Sequence, residues 1–204
     1  MHAVTNHSGT PAGTHVLGNP GTASSSAAKA PLNTNPLRLV LITPARNEAE
    51  FIEKTINSVI KQSIRPVKWV IVSDGSIDDT NEIVAKYCDR YSWVEAVFLP
   101  LRRERHFAGK VHAFNAGYQK IQNLDYDVLG SLDGDISFDD PDYFAFLLEK
   151  FTADPQLGVA GTPFAEEGKT YDYRFSSRTH VSGACQLFRK ECFQAIRGYQ
   201  ALPM

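Results

Sequence analysis

The chain has 204 residues and a formal net charge of -2, with 43% hydrophobic and 22% charged residues. Those values argue against a coiled coil, a collagen-like repeat or a wholly disordered chain. The near-neutral balance, pI about 6.3, argues against a dedicated nucleic-acid binder, and no apolar run reaches the roughly 18 residues that would span a membrane.

Cysteine usage and the N-terminus narrow the setting. Cys88, Cys185 and Cys192 cannot all pair within one chain, and no C-x-x-C is present. Free thiols in a reducing compartment are the expectation. No basic start followed by an apolar stretch marks a secretory signal. Residues 1–36 are rich in Gly, Pro, Ser, Thr, Asn and Ala, carry no acid, and have Lys29 as their one Lys or Arg. Too few large apolar residues lie there to offset chain entropy, so a disordered tail is expected. Its histidines, His2, His7 and His15, are spaced too loosely to read as a metal site.

From Leu37 onward strand and helix patterns alternate. Leu39–Ile42 is a continuous apolar run, as in a strand buried on both faces. Phe51, Ile52, Ile56, Val59 and Ile60 share one helical face, and Pro66 bars that helix from continuing. Trp69–Val72 reads as a second buried strand. Asp78 or Asp79 is placed to cap the next helix. Val94–Leu99 reads as a third strand. Gly109–Ile121 reads as a helix, Asp127–Leu132 as a fourth strand and Pro141–Phe151 as a helix with proline near its first turn. Shorter strand-like pieces follow at Val159, Tyr171–Phe175 and Cys185–Phe188, then a brief helix over Lys190–Ile196. This order predicts an α/β fold with a mostly parallel central sheet flanked by helices.

In such sheets ligands bind beyond the carboxyl ends of the strands. Three polar segments fall there: Thr43–Glu48, Ser73–Ser76 and Asp133–Asp135. Asp133 and Asp135 flank Gly134 and point to one side of an extended backbone. Two such carboxylates suit a divalent cation that bridges a diphosphate; the same tripeptide also suits a solvated acidic turn. Asp74 would accept from a ribose hydroxyl or a base N–H, or simply close a turn with Gly75 and Ser76. Lys110 follows the basic stretch Arg102–His106. It reads as a phosphate counter-charge or as part of a solvated loop. Neither G-x-G-x-x-G nor G-x-x-x-x-G-K-[ST] is present, so a nucleotide site here uses another scheme.

Taken together, Ile42-Thr-Pro-Ala-Arg-Asn-Glu48, Ser73-Asp-Gly-Ser-Ile-Asp-Asp-Thr80, Gly109-Lys110 with Ala113, Asn115 and Gly117, and Leu132-Asp-Gly-Asp135 resemble glycosyltransferase family 2. Val181–Arg189 and Gly198-Tyr199 resemble the acceptor half of that family. The resemblance implies a GT-A fold, with a Rossmann-like nucleotide-sugar-binding half over 37–135 and a partial acceptor half over 136–204. It implies that Thr43, Pro44, Ala45 and Arg46 line the nucleobase pocket with Glu48 close by. Val72 and Asp74 would hold base and ribose, and Lys110 would lie near the donor. Asp133 and Gly134 would contact ribose and phosphate. Asp135 would be the main metal ligand, with Asp133 acting directly or through water. Manganese or magnesium would neutralise the leaving diphosphate.

The implied partners are a UDP-, GDP- or dTDP-sugar donor and a carbohydrate or lipid acceptor, with no nucleic acid. The implied location is cytoplasmic, and membrane association would come only through segments outside this sequence. The implied reaction is an inverting transfer in which a carboxylate takes the acceptor proton. Two features depart from the family. Ser73 stands where an acid often precedes Asp-Gly-Ser. The acidic base motif expected soon after Gly-Tyr is absent before Met204, so the base is expected beyond it. Glu166, Glu167 and Asp172 do not match that motif. A chain that binds the donor without turning it over is the alternative. Nucleotidyl transfer would ask for a glycine-rich basic loop after the first strand, and Thr43–Glu48 is not one.

Overall fold

A computed structural model describes residues 2–4, 36–101, 108–163, 165–166, 169–170 and 181–201. The principal strands are β2 (Leu39–Ala45), β3 (Lys68–Asp74), β4 (Val94–Leu99), β5 (Val128–Leu132) and β10 (Cys185–Arg189). The helices are α1 (Ile52–Ile60), α2 (Thr80–Arg90), α3 (Gly109–Ile121), α4 (Tyr143–Ala153) and α5 (Lys190–Ala195). Short strands complete the set: β1 (His2–Val4), β6 (Ile136–Phe138), β7 (Val159–Ala160), β8 (Ala165–Glu166) and β9 (Lys169–Thr170). Among the described residues no helix is long and apolar enough to cross a membrane.

Six strands form one sheet in the order β4-β3-β2-β5-β10-β7. Strands β4, β3, β2 and β5 are parallel, and β10 runs antiparallel between β5 and β7. The chain leaves β2 toward β3 and β4, then crosses back to place β5 on the other side of β2. That reversal opens a crevice at the carboxyl ends of β2 and β5.

Side-chain alternation explains why the parallel strands read as unbroken apolar runs. Leu39, Leu41 and Ala45 of β2 face a core built with Ile52, Ile56, Val84 and Phe144. Val40 and Ile42 face a second core with Ala113, Phe114, Ile121 and Phe193. Both faces of the strand are therefore dry. Gly117 lets α3 lie directly on the sheet. A Cβ there would stand 2.7 Å from Ile42 Cγ2 and 3.0 Å from Val72 Cγ2.

A second sheet, β6-β1-β8-β9, is built from short strands. In it His2–Val4 pairs in parallel with Ile136–Phe138. The other expected tail residues, 5–35, lie outside the described residues, as do the Tyr171–Phe175 segment and the basic stretch 102–106. Cys88, Cys185 and Cys192 are free thiols. Burial pushes the Cys185 thiol up to about 12, as expected of an inert packing cysteine.

Candidate functional site

The site begins as two loops tied to each other. After β2 the chain turns at Asn47, whose φ of 55° is left-handed, a conformation asparagine tolerates. Asn47 N–H donates to Ser76 Oγ at 3.0 Å, and Ile77 N–H donates to Asn47 Oδ1 at 2.9 Å. Glu48 N–H donates to Thr80 Oγ1 at 2.8 Å. Of the two acids expected to cap α2, Asp78 makes the contacts. Its carboxylate accepts from the Thr80 N–H and hydroxyl and from Ala49 N–H, at 3.1, 2.6 and 3.0 Å. Ser73, standing where the family often has an acid, is buried and hydrogen-bonded to the Ser76 hydroxyl at 2.8 Å. It completes the same tie.

Two acids at strand ends each meet a basic partner from a neighbouring element. Asp74 ends β3 at 4% exposure, and its Oδ2 lies 3.8 Å from Arg46 Nη1. Asp133 follows β5, and its Oδ1 lies 2.5 Å from Lys110 Nζ in the first turn of α3. The Asp133 backbone is held as well: its N–H donates to Ala184 O at 3.0 Å. The Thr55 hydroxyl donates to Gly134 O at 2.7 Å, so α1 fixes the Asp-Gly-Asp turn. A Cβ on Gly134 would stand 3.2 Å from Glu48 Cγ and 3.3 Å from Ala45 Cβ. The close neighbour that glycine admits is therefore the loop after β2.

Glu48 consequently lies beside the turn. Burial, with the charges on Asp135, Asp133 and Asp78, raises its carboxyl to about 7. An excess of acid at one spot is chemistry that a hard cation would relieve. Among the described residues no group of three or more His, Cys, Asp or Glu forms a metal ligand set. The donor set on offer is thus a pair of carboxylates. It fits a cation that draws the rest of its shell from phosphate oxygens and water.

The sequence-predicted residues separate into two groups. Arg46 and Asp74, Lys110 and Asp133, and Glu48, Gly134 and Asp135 come together at the carboxyl ends of β2, β3 and β5, with Pro44 near the end of β2; Ala45 is 3% exposed and its side chain packs in the core with Ile52. Thr43 and Val72 are fully buried. The Thr43 hydroxyl accepts the Trp69 indole N–H at 3.0 Å, and Val72 packs in the α3 core. Only their backbones are left to face a ligand.

Beside Lys110 lies a cavity of about 220 Å³, lined by Lys110, Val111, Phe114, Ser131, Gly183, Gln186 and Tyr199. Tyr199 donates to Gln186 Oε1 at 2.6 Å, and Gln186 Nε2 donates to Val181 O at 2.9 Å. Burial pushes the Tyr199 phenol up to about 12, so it stays a neutral donor. Two left-handed residues, Arg197 at φ 61° and Gly198 at φ 67°, turn the chain so that Tyr199 lies against Phe114. Sequence reasoning gave Asp78 only as a candidate cap of α2, without its bond to Ala49, and missed Asn47, Thr80 and Gln186 as organisers of these loops. For Asn47, Asp78 and Thr80 a signal was present: asparagine beyond a strand marks a left-handed turn, and Asp-x-Thr marks a helix start.

Residues 40–200 match the family model for glycosyl transferase family 2. The chain belongs to glycosyltransferase family 2. It is 31% identical over 137 residues to the poly-beta-1,6-N-acetyl-D-glucosamine synthase of Staphylococcus aureus, across 66% of this chain and 31% of that protein. The Staphylococcus epidermidis synthase is 32% identical over 118 residues, across 57% of this chain and 26% of that protein. The chain thus spans about a third or less of the length of these relatives. Among solved structures, the mannosyltransferase PcManGT of Pyrobaculum calidifontis, in complex with GDP-Man and Mn2+, superposes with a TM-score of 0.61. It is 20% identical, over 82% of this chain and 48% of that one. TarS of S. aureus with UDP-GlcNAc gives a TM-score of 0.57 at 16% identity, over 79% of this chain and 48% of that one. The fold of this family 2 chain is therefore GT-A, as the motif order implied.

Proposed function

We propose that this chain is the donor-binding core of an inverting glycosyltransferase that uses a nucleoside diphosphate sugar and a divalent cation. One observation carries the reading. At the crevice where the strand order reverses, Arg46–Asp74 and Lys110–Asp133 stand as charge pairs around the Asp133-Gly134-Asp135 turn. That arrangement offers acceptors to a ribose and base, a cation to a diphosphate, and two carboxylates to a metal.

The roles follow from placement. Asp74, buried and aligned by Arg46, would accept from the nucleoside. Pro44 and Arg46 would form the wall beside the base, with the Thr43, Ala45 and Val72 backbones beneath and Glu48 close by. Asp133 and Asp135 would hold the cation, manganese or magnesium, and Asp133 and Gly134 would also meet ribose and phosphate. When bound, the cation would neutralise charge on the departing diphosphate. Lys110 would add a second positive charge there. The acceptor hydroxyl would displace the diphosphate from the opposite face of the anomeric carbon and lose its proton to a carboxylate. Supply of nucleotide sugars from the cytoplasm supports a cytoplasmic site.

The names of similar proteins support a nucleotide-sugar donor and leave the base open: GDP-Man in one, UDP-GlcNAc in another. The S. aureus relative supports a carbohydrate acceptor.

The test is thermal unfolding of the chain with UDP, GDP, dTDP and their sugars, with and without Mn2+. A ligand at about 100 times its Kd stabilises by about 2.7 kcal/mol. The expected outcome is a Mn2+-dependent rise with one nucleobase, absent in Asp135→Ala. A folded chain that shifts with none of them sinks the donor reading. Release of free sugar or formation of a glycoside separates transfer from binding alone.

A further inference from the structure

The cavity of about 220 Å³ beside Lys110 contains a directed chain of hydrogen bonds. Ser131, 1% exposed, is a hydrogen-bond neighbour of the Tyr199 phenol. The phenol donates to Gln186 Oε1 at 2.6 Å, and Gln186 Nε2 donates to Val181 O at 2.9 Å. A carbonyl oxygen can only accept, so Val181 fixes which way the Gln186 amide points. Nε2 carries two hydrogens, and Val181 takes one. The second is an oriented donor for an occupant of the cavity that Gln186 lines. Val111 and Phe114 give that cavity an apolar wall, and Gly183 adds no side chain to it. Phe114 is 1% exposed and is held edge-on by the Tyr199 ring, 4.7 Å between centroids.

We propose that this cavity receives the acetamido group of the donor sugar, so that the sugar transferred is a 2-acetamido-2-deoxyhexose. This rests on the donor-site reading above and names its sugar class. Lys110 both lines the cavity and reaches Asp133, where that reading puts the diphosphate. The diphosphate is carried on C1 of the sugar, and the substituent on C2 is next to it. An acetamido group presents a carbonyl acceptor and a methyl. The Gln186 N–H meets the first, and Val111 and Phe114 meet the second. A C2 hydroxyl fits less well. It leaves the apolar wall facing water, and its own proton needs an acceptor. Gln186 Oε1 and Val181 O are already engaged. A carboxylate would lose its hydration against the same wall.

The test is calorimetric titration of the full chain, with Mn2+ present, by UDP, UDP-GlcNAc, UDP-Glc, UDP-GlcA, GDP-Man and dTDP. Wild type should bind UDP-GlcNAc roughly tenfold more tightly than UDP-Glc, the combined effect of one hydrogen bond and one buried methyl. UDP-GlcA should bind no better than UDP-Glc. Gln186→Met keeps the length of the side chain and removes the donor. It should lose most of the preference for the acetamido sugar while its affinity for UDP itself is unchanged. Val111→Phe puts a ring into the cavity, and should weaken UDP-GlcNAc and spare UDP. Equal binding of UDP-GlcNAc and UDP-Glc by wild type overturns the proposal, even if both variants fail to fold. So does a preference for UDP-GlcA, which would make the cavity an anion site. Binding of GDP-Man or dTDP with no UDP sugar overturns it too, as does an acetamido preference that survives in both variants. The donor reading stands in each of those cases. Binding of none of these ligands overturns the donor reading, and this proposal with it.

Discussion

Glu48 is half-buried against Gly134, with Asp78, Asp133 and Asp135 acting on it. Its carboxyl ionises near pH 4.5 in the unfolded chain and near 7 in the folded one. The folded state therefore binds the extra proton between those values. The stability this adds is fully present below pH 4.5 and is lost as pH rises through about 7. Glu48→Gln, which cannot ionise, should gain on wild type in Tm between pH 5 and pH 8 in the absence of metal. A difference in Tm that stays constant over that range would show that Glu48 titrates normally. Saturating Mn2+ with the preferred diphosphate should flatten the same curve, because a cation at the aspartates removes their field. At Asp74 the expectation differs. On the proposed reading, Asp74→Ala removes an acceptor for the nucleoside together with the carboxylate beside Arg46, so nucleotide affinity should fall with or without metal. Calorimetric titration checks it, and a loss seen only with Mn2+ present would move Asp74 out of the nucleoside pocket. Thr43 is a residue of another kind. Thr43→Val would strand the buried Trp69 indole N–H, at a cost of about 1–3 kcal/mol, readable by urea unfolding.

At the scale of elements, α3 connects packing to the site. Its Gly117 lies on β2 and β3, and its second residue, Lys110, reaches Asp133. Gly117→Ala gains up to about 1 kcal/mol of helix propensity. It also drives a methyl into the branched side chains of Ile42 and Val72, which are fully buried. Overpacking of that kind costs about 1–3 kcal/mol, so net destabilisation is expected in urea unfolding. Weaker diphosphate binding should accompany it as Lys110 shifts with the helix. A variant of wild-type stability would mean that α3 has slack against the sheet. The same elements show what is legible in a sequence. β2, β3, α3 and β5 were placed within a few residues because parallel strands are buried on both faces and helices are not. The helix bounds Gly109–Ile121 match, since an apolar stripe starts and stops there. β6 and the strand at His2–Val4 were missed. Three residues are too few to show a period, and their pairing partner is more than a hundred residues away in sequence.

At the scale of the molecule, the motifs mark the segments that the fold gathers at the strand ends but not the bonds that tie them together. Asp133, Asp135 and Asp74 stand out as acids at strand ends. The ties of Asn47 to Ser76 and of Asp78 to Ala49 join separate loops, and no local pattern announces them. The division at residue 135 also has a limit visible in the sheet. β10 pairs with all five residues of β5, so the segments before and after residue 135 share hydrogen bonds through their middle. Chemical unfolding followed by fluorescence of Trp69 and Trp93 and by far-UV circular dichroism should give one coincident transition. Two separated transitions would show that the segments fold apart.

The amide of Asp133, bonded to Ala184 O across that junction, carries this further. It belongs to the first acid of the Asp-Gly-Asp turn, yet its partner comes from the chain half a hundred residues downstream. In hydrogen–deuterium exchange it should be as slow as the amides of β5 while the two segments stay closed. It would quicken when β10 lifts, before the strands β2 and β3 open. A single slow proton thus reports whether the carboxylate beside it is still held in place.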